Sequence, residues 1–85
     1  FLETLYKELL NAGGIEIGLR RIDHYAKLGE PVSMADIARS ALRFNEVTLG
    51  YRATDAGVVI NPNKDDVLVF NENDRLIVLA QQIYA

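Results

Sequence analysis

The sequence predicts an α+β domain: a small, mostly antiparallel sheet of about five strands with two helices on one face. Three observations carry this. Apolar residues recur at helical spacing in two stretches, one at the start of the chain and one over residues 34–44. After Glu46 the chain breaks into four short apolar runs separated by turns. Between the helical stretches, Ile15, Ile17 and Leu19 alternate with Glu16, Gly18 and Arg20, which is the period of a strand.

Each element has a local cause. Leu2, Leu5, Tyr6, Leu9 and Leu10 share one helical face, opposite Glu3, Lys7 and Glu8. Gly13-Gly14 ends that helix, because glycine readily takes the left-handed cap conformation. Residues 24–31 read as a connection. Ser33 is a good helix N-cap, and Asp36 places a carboxylate near the positive helix end. The helix over 34–44 turns Met34, Ile37, Ala38, Ala41 and Leu42 to one side and Arg39 and Arg43 to the other. Strands are expected at 47–52, 57–60, 67–70 and 75–79. Asn61-Pro62 marks the turn between the second and third of these. Asn71 to Asp74 reads as the hairpin turn between the last two.

The runs Val58-Val59-Ile60 and Leu76-Ile77-Val78-Leu79 are apolar at both parities, so their strands call for cover on both faces. Two short helices can cover one face of a five-stranded sheet, since a helix is about 10 Å wide and strands are nearly 5 Å apart. A second copy, or the rest of a parent protein, is expected on the other face. Val59, Ile77 and Leu79 are the residues assigned to such a homodimer interface. An aspartate at Ile77 or at Leu79 is expected to unfold the domain at one position and to break the dimer at the other.

Composition narrows the function classes. Eighty-five residues make one domain, and residues 1–85 are read as a single fragment of a longer protein that starts at Phe1 inside a helical pattern. The net charge of −3 argues against generic nucleic-acid binding. Without cysteine there is no disulfide frame or thiolate metal site. One histidine and no cysteine leave no nucleophile–base pair to assemble, so an enzyme is not expected. No apolar run reaches the roughly 18 residues that span a bilayer, so this fragment is not expected to insert directly.

The order of elements has a further meaning. Val47-Thr48-Leu49-Gly50-Tyr51-Arg52, then Asn61-Pro62, then Asp74-Arg75-Leu76-Ile77-Val78-Leu79 resembles the C-terminal lobe of an RCK (regulator of potassium conductance, or TrkA-C) domain. Leu9-Leu10, Gly14-Ile15-Glu16-Ile17, Leu28-Gly29-Glu30-Pro31-Val32 and Glu46 to Arg52 extend the likeness toward the Castor/Pollux branch of RCK-bearing ion channels. The resemblance implies a regulatory lobe, sensing a ligand or ion, on the cytoplasmic face of a potassium or other cation channel or transporter. It implies pairing as a homodimer, with a nucleotide or a divalent cation bound at or near the pairing surface. The alternative is a ligand-free dimerisation or packing module of a larger protein. Asn73 stands where the family commonly has glycine, and asparagine tolerates the same left-handed backbone. The glycine fingerprint of the N-terminal RCK lobe is absent, so NAD is not expected by that route.

The candidate site residues lie in the turns and at strand ends. Arg52, Lys64 and Asn61 are the candidate ligand-binding set. Arg52 leads it on family grounds: an arginine meets a phosphate bidentately, and Gly50 on the same face would leave room for a ligand to approach the backbone. That face is expected to hold Thr48, Gly50 and Arg52, opposite Val47, Leu49 and Tyr51. Arg20 and Arg21 are lesser phosphate candidates. Asp65 and Asp66 could supply oxygen ligands to a hard cation, or serve only to bond nearby backbone amides. Asp55, Glu72 and Asp74 share that ambiguity, and Asp74, preceding a buried strand, is the most structural. His24 could pair with Asp23 and sense pH, or simply be exposed. Tyr6, Tyr25, Tyr51 and Tyr84 are expected to anchor a core or an interface.

Overall fold

The computed structural model describes residues 15–81. The first expected helix, with Leu9 and Tyr6, and the C-terminal Tyr84 lie outside the described residues. The order is β1 (Ile15–Arg21), a short 3₁₀ turn (Ile22–His24), β2 (Pro31–Ser33), α1 (Met34–Leu42), β3 (Glu46–Ala53), β4 (Gly57–Ile60), β5 (Val67–Val69) and β6 (Arg75–Gln81). The α+β class holds, with antiparallel pairing at every recorded ladder.

The strands form two sheets rather than one of five. The larger has the order β1-β6-β3-β4, and β2 and β5 form a separate pair. Residues 24–31 are therefore not wholly a connection, since Pro31 begins β2 against Val69. Three residues are too few to show a period, so only the partner strand makes β2 recognisable. β5 and β6 do not pair with each other either. Residues 71–74 carry the chain from the small sheet to the centre of the large one, where a hairpin was expected.

The last strand explains the architecture. Leu76, Ile77, Val78, Leu79 and Ala80 are all buried, as their unbroken apolar run requires. β6 is central, with β1 on one side and β3 on the other. Leu76, Val78 and Ala80 face the main core with Ile22, Met34, Ile37, Ala41, Tyr51 and Phe70. Ile77 and Leu79, two residues apart, share the opposite face, so they cannot have the divergent roles expected of them.

Helix α1 seals the core face. Ser33 caps it, its Oγ accepting from the Asp36 amide at 3.1 Å. The β4–β5 loop holds the same end, because Met34 N donates to Asp66 O (2.9 Å) and Ala35 N to Lys64 O (3.0 Å). Met34, Ile37 and Ala41 are buried and Ala38 partly so, but Leu42 is the last helical residue and is 62% exposed. The chain then leaves through Asn45 at φ 59°.

The opposite sheet face is open at its margins. Ile17 and Leu19 of β1, Val47 of β3, and Val58 and Ile60 of β4 are exposed by 63, 50, 40, 60 and 59%. They surround the buried Ile77 and Leu79, whose register partners include Leu19, Ile17 and Val47. Val58 and Ile60 thus lie on the face where a second copy or the rest of a parent protein was expected. Val59 packs on the core side and is not on this open face, which removes it from the expected interface set.

A bulge at Leu49 resets β3. Thr48 opposes Val78, but Gly50 opposes Ile77, so one extra residue is inserted and parity flips. Val47, Gly50 and Arg52 consequently share the open face, and Thr48 joins Tyr51 on the core face. The expected grouping of Thr48 with Arg52 is corrected accordingly.

Candidate functional site

The bulge brings together a cleft that the strand pattern does not announce. Thr48 and Leu49 form one wall, Met34 and Ala38 of α1 a second, and Asn61, Pro62 and Lys64 the third. Its volume is about 80 Å³. The walls are fixed by backbone bonds: Asn61 N donates to Leu49 O at 2.8 Å, and Ala35 N to Lys64 O at 3.0 Å. Asn61 takes a left-handed backbone at φ 55°, which asparagine tolerates better than most residues. The Thr48 Oγ1 is buried beneath the surface and has no hydrogen-bond partner among the described residues.

Two of the three expected ligand residues, Asn61 and Lys64, therefore meet at one cleft. Arg52 does not. It is exposed on the open sheet face, opposite Arg75 on β6 and Val58 on β4. The space expected above Gly50 is also taken. A Cβ at Gly50 would collide with the Val59 carbonyl oxygen, so the glycine serves the close approach of β4 and not of a ligand.

Asp65 and Asp66 are exposed in the β4–β5 loop. Their amides are bound by Asn63, through its Oδ1 at 3.0 Å and its carbonyl at 3.0 Å. Among the described residues no group of three His, Cys, Asp or Glu side chains comes together. Arg20 and Arg21 are engaged locally: Arg20 Nε lies 3.2 Å from Glu46 Oε2, and Arg21 Nη2 lies 2.8 Å from Asp23 Oδ2. The carboxylate expected to pair with His24 is thus held by Arg21.

The sequence reading missed a buried polar cluster. Tyr25 donates to Glu46 Oε1 at 2.5 Å, and Arg20 holds the other carboxylate oxygen. Glu46 is only 8% exposed, on the core face of β3. Burial pushes the Tyr25 phenol well above its usual range; Glu46 adds to this through the hydrogen bond and its charge, and Arg20 partly opposes it. Phe44 packs edge-on to the Tyr25 ring with centroids 5.6 Å apart. These two aromatics, with His24, Ser40 and Arg43, line a second and wider hollow. The one available signal was Glu46 at the start of an apolar strand, where a charge needs a partner.

No protein-family model matches the chain. Among the described residues no helix is long and apolar enough to cross a membrane.

Proposed function

We propose that this chain is a cytosolic regulatory lobe of a potassium or other cation channel or transporter, similar to the C-terminal lobe of an RCK domain of the Castor/Pollux branch. It senses a ligand or ion and works as a homodimer. The observation that supports this best is the division of the large sheet into one helix-covered face and one face whose margins are apolar and exposed. Exposed apolar side chains on β1, and on the adjacent β3 and β4, flank the buried Ile77 and Leu79 of β6, and exposed apolar patches mark surfaces met by another chain. The preformed cleft with Asn61 and Lys64 supports the sensing part of the reading. The net charge of −3 favours a protein or small-molecule partner over nucleic acid.

The experiment is ion flux through the parent protein reconstituted in vesicles, with and without this lobe, and with Ile60→Asp on the open face. Regulation lost on deletion and weakened by Ile60→Asp is the expected result. Flux and its regulation unchanged in both would overturn the reading.

The second reading is a packing module that binds no ligand. The Val59 carbonyl filling the space beneath Gly50 favours it, because this removes the approach that made Arg52 attractive. Calorimetry of the chain with nucleotides and with divalent cations separates the two. Absence of heat with either class leaves the packing module.

A further inference from the structure

We infer that residues 2–10 of this same chain dock along β6, on the sheet face opposite α1. The inference starts from two side chains. Ile77 and Leu79 are 7 and 5% exposed, yet both lie on the face away from the core that α1 seals. Ile77 has Gly50 as its partner on β3, and its partner on β1, Leu19, is itself exposed. A glycine has no side chain to lean over its neighbour, so the strands beside Ile77 do not bury it. The cover has to come from above the sheet. Among the described residues, the elements outside the large sheet pack on the other side: Ile22 of the 3₁₀ turn, Val32 of β2, Met34 and Ile37 of α1, and Leu68 of β5 all belong to the main core or pack against it.

The exposures around this pair give the cover its shape. Ile17 and Val47, the partners of Leu79, stay exposed, and so do Val58 and Ile60, two strands away from β6. The cover is therefore narrow and centred on β6. A helix about 10 Å wide, lying over strands nearly 5 Å apart, has that width. Residues 2–10 have the matching chemistry. Leu2, Leu5 and Leu9 recur at helical spacing with Tyr6 and Leu10 beside them, while Glu3, Lys7 and Glu8 fall on the other side, toward water. As a helix, Leu2 to Leu9 spans about 10 Å, and Ile77 to Leu79 takes up about 7 Å of strand, so the stripe is long enough. Gly13-Gly14 stand directly before β1, the strand beside β6, and glycine permits the sharp reversal that returns the chain over the sheet. Such a short tether holds the segment at high effective concentration, which favours it over a second chain as the occupant. The two helices expected from the sequence then lie on opposite faces. The inference does not rest on the channel reading, because Val58 and Ile60 stay free for a second copy whether or not one binds.

The test uses the 85-residue chain, whose lack of cysteine makes Lys7→Cys a single attachment point for a nitroxide label on the polar side of the stripe. The label should broaden the amide signals of Ile77 and Leu79 more than those of Ile37 and Ala41 in α1. Equal broadening, or stronger broadening at α1, would overturn the proposal. So would broadening of Ile77 and Leu79 in unlabelled ¹⁵N chain mixed with labelled chain, since a second copy would then supply the cover. Denaturant titration tests the contact itself. Leu9→Ala and Leu79→Ala should couple, the double variant's unfolding constant departing about fivefold or more from the product of the single effects, whereas Leu9→Ala and Ile37→Ala should act independently. Leu79→Val takes the place of Leu79→Ala if the alanine variant does not fold. Independence from Leu79, or coupling to Ile37 instead, would overturn the proposal.

Discussion

Asp74 holds Thr54 across the sheet: its Oδ1 accepts from the Thr54 amide at 3.0 Å and from the Thr54 hydroxyl at 3.2 Å. Its Oδ2 accepts from the Asn71 amide at 2.9 Å. One carboxylate thus ties the β3–β4 turn to the turn that leads into β6. Arg75 braces the same turn by donating to Glu72 O and Asp74 O, at 2.7 and 2.9 Å.

Burial alone would raise the Asp74 carboxyl, but the hydrogen bonds from Asn71 and Thr54 and the charge of Arg75 outweigh it and hold the group below its ordinary 3.8. The stability it contributes is present above pH 3.8 and is lost as the pH falls through the lower native value. Asp74→Ala should cost about 1–3 kcal/mol at neutral pH, because three part-buried hydrogen bonds lose their charged acceptor. Urea midpoints between pH 6 and pH 3 should fall less steeply in the variant, as roughly expected when one linked carboxylate is removed. Parallel pH profiles would show that Asp74 is not linked to folding.

Tyr25 is the alkaline counterpart. Its raised native value means that the folded chain keeps a proton which the unfolded chain releases near 10.0. That stability is present below pH 10.0 and declines as the pH rises above it. Tyr25→Phe leaves Glu46 short of one donor, and should cost about 1.5–3 kcal/mol at neutral pH. The variant should also lose part of the alkaline fall seen in thermal melts of the wild type.

Gly50 reports the close approach of β4. Gly50→Ala drives a methyl group into the Val59 carbonyl and should destabilise by about 1–3 kcal/mol, the usual cost of overpacking. Chemical denaturation measures it. A neutral result would mean that β4 yields freely, and that a ligand could reach the β3 backbone after all.

The two sheet faces should respond differently to charge. Ile60→Asp sits on the open face at 59% exposure and should leave the fold intact while shifting sedimentation toward monomer. Ile77→Asp and Leu79→Asp both place a charge in a buried position on that same face, and both should unfold the chain. Ile37→Ala, fully buried under α1, should cost about 2–5 kcal/mol by denaturant titration.

The sequence by itself determined the elements whose signal is local. The helix start followed from Ser33, whose hydroxyl can serve only a nearby amide, and β6 followed from an apolar run that no exposed strand would carry. Asn61 and Lys64 were legible as site candidates because turn residues leave their side chains free. The tertiary structure alone decided which strands pair. It moved β5 to β2, made β6 central, and turned a supposed hairpin into a crossover. It also placed the bulge at Leu49, which put Thr48 in the cleft and Arg52 on the far face. Strand pairing joins residues distant in sequence, and one inserted residue reverses every side chain beyond it, so a local period cannot specify either.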